Sequence, residues 1–274
     1  MKQDRAKKLA DDALADLQAQ LEAGRSEALL KFVECVGRFH RYSWRNCMLI
    51  AIQNPEAIRV AGFRKWLELK RYVRKGEKGI AILAPVTYRR TVADDDGSET
   101  TEAGIRGFRV VHVFDVSQTE GEPLPEFVRI AGEPGELLDD LKSLVADSGI
   151  DLRYEALPLR TKGRSEKGAI VIAEGLTDAE HFAVLAHELA HEWLHDGERR
   201  KVTTKTVRET EAEAVAFAVC RSLGLDCSTR SSDYIQLYDG DKEVLAQSLA
   251  LIQQTAARII NALSGAKQSE EVAA

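Results

Sequence analysis

The 274-residue chain carries 38 Lys/Arg against 44 Asp/Glu, a formal charge of −6, and its length allows two ordinary cores. No apolar run approaches the ~18 residues of a membrane span, and no secretory leader pattern opens the chain, so a soluble, cytoplasmic protein is expected. The charge is divided: residues 1–90 hold 19 Lys/Arg and 10 Asp/Glu (net +9), and the remainder holds 19 and 34 (net −15), as expected of two domains with different partners.

Residues 5–35 read as helix, with apolar positions at Leu9, Leu14, Leu17, Leu21, Leu29 and Leu30. A second helix runs from Ser43 to Gln53 and ends before Pro55, and a short third covers Phe63 to Lys70. Gly79–Pro85 reads as a strand, 94–98 as a turn, and Phe108–Phe114 alternates as the partner strand. The result is a helix–hairpin module over residues 1–120. A linker at 121–136 follows, rich in Pro and Gly, and the second domain spans 137–274, opening with a helix from Leu137 to Asp147. The fold class expected is α+β. Cys35, Cys47, Cys220 and Cys227 form no CxxC pair and no metal-ligand spacing, so reduced core thiols are expected.

Basic residues in the first domain are interleaved with aromatics. Arg41, Tyr42, Trp44 and Arg45 form one group, and Arg59, Arg64, Lys65, Trp66, Lys70, Arg71, Tyr72, Arg74, Lys75 and Lys78 another. Cations track a phosphate backbone, while flat rings stack on unpaired bases at about 1–3 kcal/mol per base. Buried Trp44 and Trp66, on an ordinary basic surface, would be the bland alternative.

In the second domain, Gly168–Ala173 reads as an edge strand beside a cleft. Thr177-Asp178-Ala179-Glu180 is a capping box that opens a largely apolar helix, closed by Gly197. That helix carries His187-Glu188-Leu189-Ala190-His191. Histidines at i and i+4 project from one face and can share an ion, and Glu188 is placed to take a proton from water on that ion. His195 lies about 12 Å along the axis from His187, too far to be a third ligand; a place behind the ligands, at the substrate or at the helix end is expected. On the next helix, from Arg208 to Val219, Glu209 and Glu213 stand at i and i+4: one can bind metal while the other orients a histidine. A last helix covers Lys242 to Leu263.

HELAHEWLH followed by RETEAEAVAFAV resembles the zincin half of ArdC-like antirestriction proteins and, more distantly, the ImmA/IrrE group. Arg41-Tyr42-Ser43 with Asn46, Gln53-Asn54-Pro55, Gly62-Phe63 with Trp66, VRKGEKG and Val113–Gly121 resemble the single-stranded-DNA-binding domain of the same family. The resemblance implies a mobile-element or phage protein that binds single-stranded DNA and carries a zincin-like metallopeptidase domain. It implies Glu209 as third ligand with Glu213 behind it or in its place, since a Glu-x-x-Ala-Glu/Asn-x-x-Ala pattern fits Glu209, Ala212, Glu213 and Ala216; a register on Glu211, Ala214 and Ala218 also fits. Zinc is the expected ion, with manganese or cobalt compatible with the same donors. A donor for the oxyanion is sought in Tyr234 or His195. The alternatives are a non-catalytic DNA-protection protein with a structural or vestigial metal site, or a regulator that cleaves one cognate repressor.

Overall fold

The computed structural model describes residues 2–23, 27–93, 99–124, 133–158, 161–195, 197–225 and 242–265. The chain forms two compact units. The described residues up to Ala13 and from Met48 to Leu124 make one; Leu14–Cys47 and the described residues after 124 make the other. The boundary falls inside two helices, α1 (Lys2–Glu22) and α3 (Trp44–Gln53). The helix expected over 5–35 is therefore two elements, α1 and α2 (Glu27–Arg38); Gly24 and Ser26, residue types favoured at helix ends and starts, lie between them in the sequence.

The first unit is built on one long antiparallel ribbon, β3 (Ile80–Ala93) and β4 (Glu99–Asp115), longer than the two strands expected. The turn expected at 94–98 lies outside the described residues. A three-residue strand, β1 (Val60–Gly62), adds to β4, and β2 (Arg71–Val73) pairs with β5 (Thr119–Gly121). Between β1 and β2 the helix α4 (Phe63–Glu68) buries Trp66. Ile80, Ile82 and Ala84 alternate inward on β3 and face Val113 and Val111 on β4. Asp115 closes the ribbon. Its buried carboxylate accepts from Ile58 N (2.7 Å) and Arg59 N (2.9 Å) on one oxygen and from Ser117 N (2.9 Å) on the other, capping a 3-10 turn at Val116–Gln118.

In the second unit, α5 (Glu136–Asp147) leads to a three-stranded sheet of order β6 (Asp151–Glu155), β8 (Ala169–Ala173), β7 (Gly163–Ser165). β8 is parallel to β6 and antiparallel to β7. The run at 168–173 was expected at an edge; it is the central strand, which explains why Ile170, Val171 and Ile172 are all buried, with no polar face. The edges are β6 and β7, and β7 is a three-residue strand too short for any period to reveal.

Helix α6 (Asp178–Leu194) packs on this sheet and on α8 (Lys205–Ser222). Its capping box is formed: Glu180 N donates to Thr177 Oγ1 at 3.3 Å and Thr177 N to Glu180 Oε2 at 3.2 Å. Gly197, expected to end α6, instead opens a short helix, α7 (Gly197–Val202), with φ at 48°. The helix α2 belongs to this unit. Phe32, Val33 and Val36 are buried, and Gly37 approaches the α8 backbone so closely that a Cβ there would lie 2.7 Å from Ala218 O. Helix α9 (Lys242–Leu263) packs against α8 and α2. Cys35 and Cys47 are free and buried as expected, whereas Cys220 is disulfide-bonded, against the expectation of a reduced thiol.

Candidate metal centre

Burial of one face of α6 puts His187 and His191 on adjacent turns, facing the first turns of α8. His187 Nε2 and His191 Nε2 are 3.0 Å apart, and Glu209 Oε2 is 3.6 Å from each. Donors around a tetrahedral ion at about 2.0–2.2 Å stand roughly 3.4 Å from one another. The triangle of 3.0, 3.6 and 3.6 Å therefore fits one divalent ion without rearrangement, and among the described residues these three form the only such group.

The side chains behind the triangle are divided between the two histidines. Glu213 Oε2 lies 3.1 Å from His187 Nδ1. His195, which caps the end of α6, sets its Nδ1 2.8 Å from His191 Nδ1 and its Nε2 2.8 Å from Glu211 Oε2. Glu211, fully buried, also accepts from Ser248 Oγ and the Arg199 guanidinium. This places Glu211 away from the triangle and gives it other partners. It also removes His195 as a donor to an oxyanion, because its side chain is buried behind His191. Tyr234 lies outside the described residues.

Glu188 is buried beside the triangle. Burial pushes its carboxyl up to about 7, with the charge of His187 opposing and those of Glu209 and Glu192 adding. Burial works against a charge on His187, but the hydrogen-bonded carboxylates of Glu209 and Glu213 outweigh it and hold the imidazole above its ordinary value. Glu209 is held well below the usual carboxylate range by the same two histidines. The backbone of β7 runs against Glu188: a Cβ on Gly163 would lie 2.8 Å from Glu188 Oε1 and 2.6 Å from Val184 Cγ1. Glu192, one turn beyond Glu188, is engaged by the sheet. It accepts from Gly168 N (2.7 Å) and Ser165 Oγ, tying the β7–β8 turn to the helix.

The basic residues fall in both units. Arg41 and Arg45 are exposed and Tyr42 is half-buried; Trp44 is buried, with the Arg45 guanidinium 4.6 Å from its ring centre. In the first unit Arg64, Lys65, Arg74, Lys75 and Lys78 are exposed. Arg71 is spent internally, on Thr119 and the carbonyls of Gly121 and Glu122. Trp66 is 2% exposed and donates its Nε1–H to Phe114 O at 2.8 Å, so it is a core ring and offers no face to a base. The exposed rings of the first unit are Tyr72, from the same basic group, and Phe63, Tyr88 and Phe108. Tyr72, 58% exposed on β2, lines a groove of about 430 Å³ with Lys70, Gly121, Glu122 and Pro123. Tyr72 sits inside the basic run of the sequence, but only the short β2–β5 pairing turns it outward.

Residues 3–116 match the family model for the N-terminal domain of anti-restriction factor ArdC, and residues 145–222 match that for the IrrE N-terminal-like domain of M78 peptidases. The chain is therefore ArdC-like, with an ArdC-type N-terminal domain followed by an IrrE-like domain. Its fold is similar to that of the antirestriction ArdC protein of plasmid R388, at 22% identity and a TM-score of 0.58 for the metal-free crystal structure, covering 94% of this chain and 99% of that one. The Mn(II)-bound crystal structure of the same protein matches at 20% identity and a TM-score of 0.51, with the same coverage. An uncharacterized pXO2 protein of Bacillus anthracis is 24% identical over 302 residues, covering 94% of this chain. The chain spans about half the length of that curated relative. Among the described residues, no helix is long and apolar enough to cross a membrane.

Proposed function

We propose that the chain is a single-stranded-DNA-binding metallopeptidase of antirestriction type, acting on proteins associated with DNA. The observation that carries the reading is the donor triangle of His187, His191 and Glu209 with Glu188 buried beside it. A divalent ion, when bound, supplies a Lewis acid for a peptide carbonyl and lowers the pKa of a water. Nitrogen and oxygen donors of this kind suit zinc or manganese, and the R388 relative has been crystallised with Mn(II). Glu188 takes the proton of the attacking water and passes it to the leaving amine. The edge strand β7, whose backbone abuts Glu188, is suited to align an extended peptide by strand addition. A structural zinc site is closed by four protein ligands; among the described residues the group has three donors, which favours an open position over a structural role.

The first unit supplies DNA binding in this reading. Exposed Arg64, Lys65, Lys75 and Lys78 provide charge for a phosphate backbone, and Tyr72 in its groove provides a face on which a base can stack. Binding the strand would hold the peptidase near DNA-bound proteins.

The test uses the full chain loaded with Zn(II) or Mn(II), a labelled unstructured protein substrate, and labelled single-stranded DNA. Hydrolysis by wild type, lost in Glu188→Gln with metal still bound, is expected; hydrolysis that survives in Glu188→Gln sinks the catalytic half. Binding of the strand that weakens steeply with salt and drops in Tyr72→Ala/Lys75→Ala is expected, and no binding at low salt removes the DNA half.

A further inference from the structure

His195 stands outside the donor triangle, yet its position fixes where one ligand keeps its proton. Its side chain is fully buried at the end of α6, between His191 and Glu211. Its Nδ1 is 2.8 Å from Nδ1 of His191, and two ring nitrogens that close share one proton: one donates and the other accepts. Its other nitrogen, Nε2, is 2.8 Å from Glu211 Oε2. A carboxylate is an acceptor only, so Nε2 of His195 carries a proton.

The remaining assignment follows from the metal triangle. His191 turns Nε2 towards His187 and Glu209, so holding an ion requires a free lone pair on that atom. Its proton is then on Nδ1, which donates to His195 Nδ1. His195 is neutral, accepting at Nδ1 and donating from Nε2 to Glu211. Glu211 is held in turn by Ser248 and by Arg199 of α7. The opposite arrangement excludes the ion. A His195 protonated on both nitrogens would point Nδ1–H at His191 Nδ1, which must then accept, and the proton of His191 would occupy Nε2.

We propose that His195 and Glu211 are positioning residues that lock His191 into the tautomer whose Nε2 can hold a divalent ion. The inference rests on the reading of His187, His191 and Glu209 as ligands. The two histidines are thus held by different means. His187 Nδ1 faces a carboxylate, Glu213, at 3.1 Å, whereas His191 Nδ1 reaches one, Glu211, through a second imidazole. Metal-bound histidines ordinarily donate their second ring N–H to a carboxylate, a carbonyl or water, and loss of that partner weakens metal binding by about 10- to 100-fold.

The test has two readouts on the full chain. With Zn(II) bound, long-range proton–nitrogen correlation of the imidazoles is expected to find His191 protonated at Nδ1 and His195 at Nε2 alone; a proton on Nδ1 of His195 overturns the proposal. Zn(II) affinity, by competition with a chromophoric chelator, is expected to fall about 10- to 100-fold in His195→Leu. It should recover most of that loss in His195→Asn, whose Oδ1 takes the place of Nδ1 and still accepts from His191. Equal affinities in wild type and His195→Leu overturn the positioning role, as does a loss that Asn leaves unrepaired. Wild type that binds neither Zn(II) nor Mn(II) would sink the metal-centre reading itself, and this inference with it.

Discussion

Asp115 offers the most direct test of how the first unit is held together. Replacing it with alanine leaves three amides, Ile58 N, Arg59 N and Ser117 N, without the carboxylate that sits 2.7–2.9 Å from them. Hydrogen bonds to a charged group are worth about 1.5–3 kcal/mol each, and a buried donor left unsatisfied costs about 1–3 kcal/mol. Water entering the space left by the carboxylate recovers part of this, so a loss of about 3–5 kcal/mol is expected. Asp115→Asn should fall between: its carbonyl can keep the two amides on one oxygen, but its NH₂ would face Ser117 N–H, donor against donor. Urea unfolding followed by fluorescence reads this, with Trp66 the tryptophan of the first unit, in a Trp44→Phe/Trp193→Phe background. The pH dependence has a definite sign. Burial alone would raise the Asp115 carboxyl, but the donors from Ser117, Arg59 and Ile58 outweigh it and hold it below its ordinary value. Its contribution is therefore complete above the unfolded value near about 4 and is lost as pH falls through the folded one. A cost below about 1 kcal/mol, under the value of a single such bond, would refute the reasoning. So would a gap between wild type and variant that narrows from pH 7 to pH 5.

Two further substitutions probe the second unit. Gly163→Val forces a side chain into the space of Glu188 and Val184; metal affinity should stay as in wild type while hydrolysis falls about 100-fold, the cost of moving a catalytic group by about 1 Å. Full hydrolysis in that variant would mean β7 does not abut the base. Gly37→Ala should cost about 1–3 kcal/mol by overpacking α2 against the α8 backbone, measured by thermal unfolding of the metal-loaded chain. An unchanged melting temperature would show that the two helices can part at no cost.

Much of α6 was legible because its signals are local. Thr177 and Glu180 are three residues apart, and His187 and His191 are four apart on one face. The helix on 208–219 begins three residues earlier than expected, at Lys205, although its cap was visible in the sequence: Thr204 Oγ1 accepts from Val207 N at 3.1 Å. The short strands were not legible, since three residues carry no period and β2 finds its partner about 50 residues away. Trp66 shows a different limit. A tryptophan among arginines and lysines reads equally as a stacking platform or as a core ring, and only the carbonyl of Phe114 decides. For His195, distance along the helix axis argued against a ligand beside His187, but gave no sign that Glu211 waits on another helix.

The packing of α2 on α8 also bears on how the chain is made. About 170 residues separate Arg38 from Lys205, so a ribosome working at roughly 5–20 residues per second exposes α2 about 10–30 s before its partner emerges. Through that interval the apolar face of Phe32, Val33 and Val36 has no helix α8 to cover it. The N-terminal part of this protein therefore cannot finish folding as it is born. A nascent chain cut short before α8 would carry that face bare.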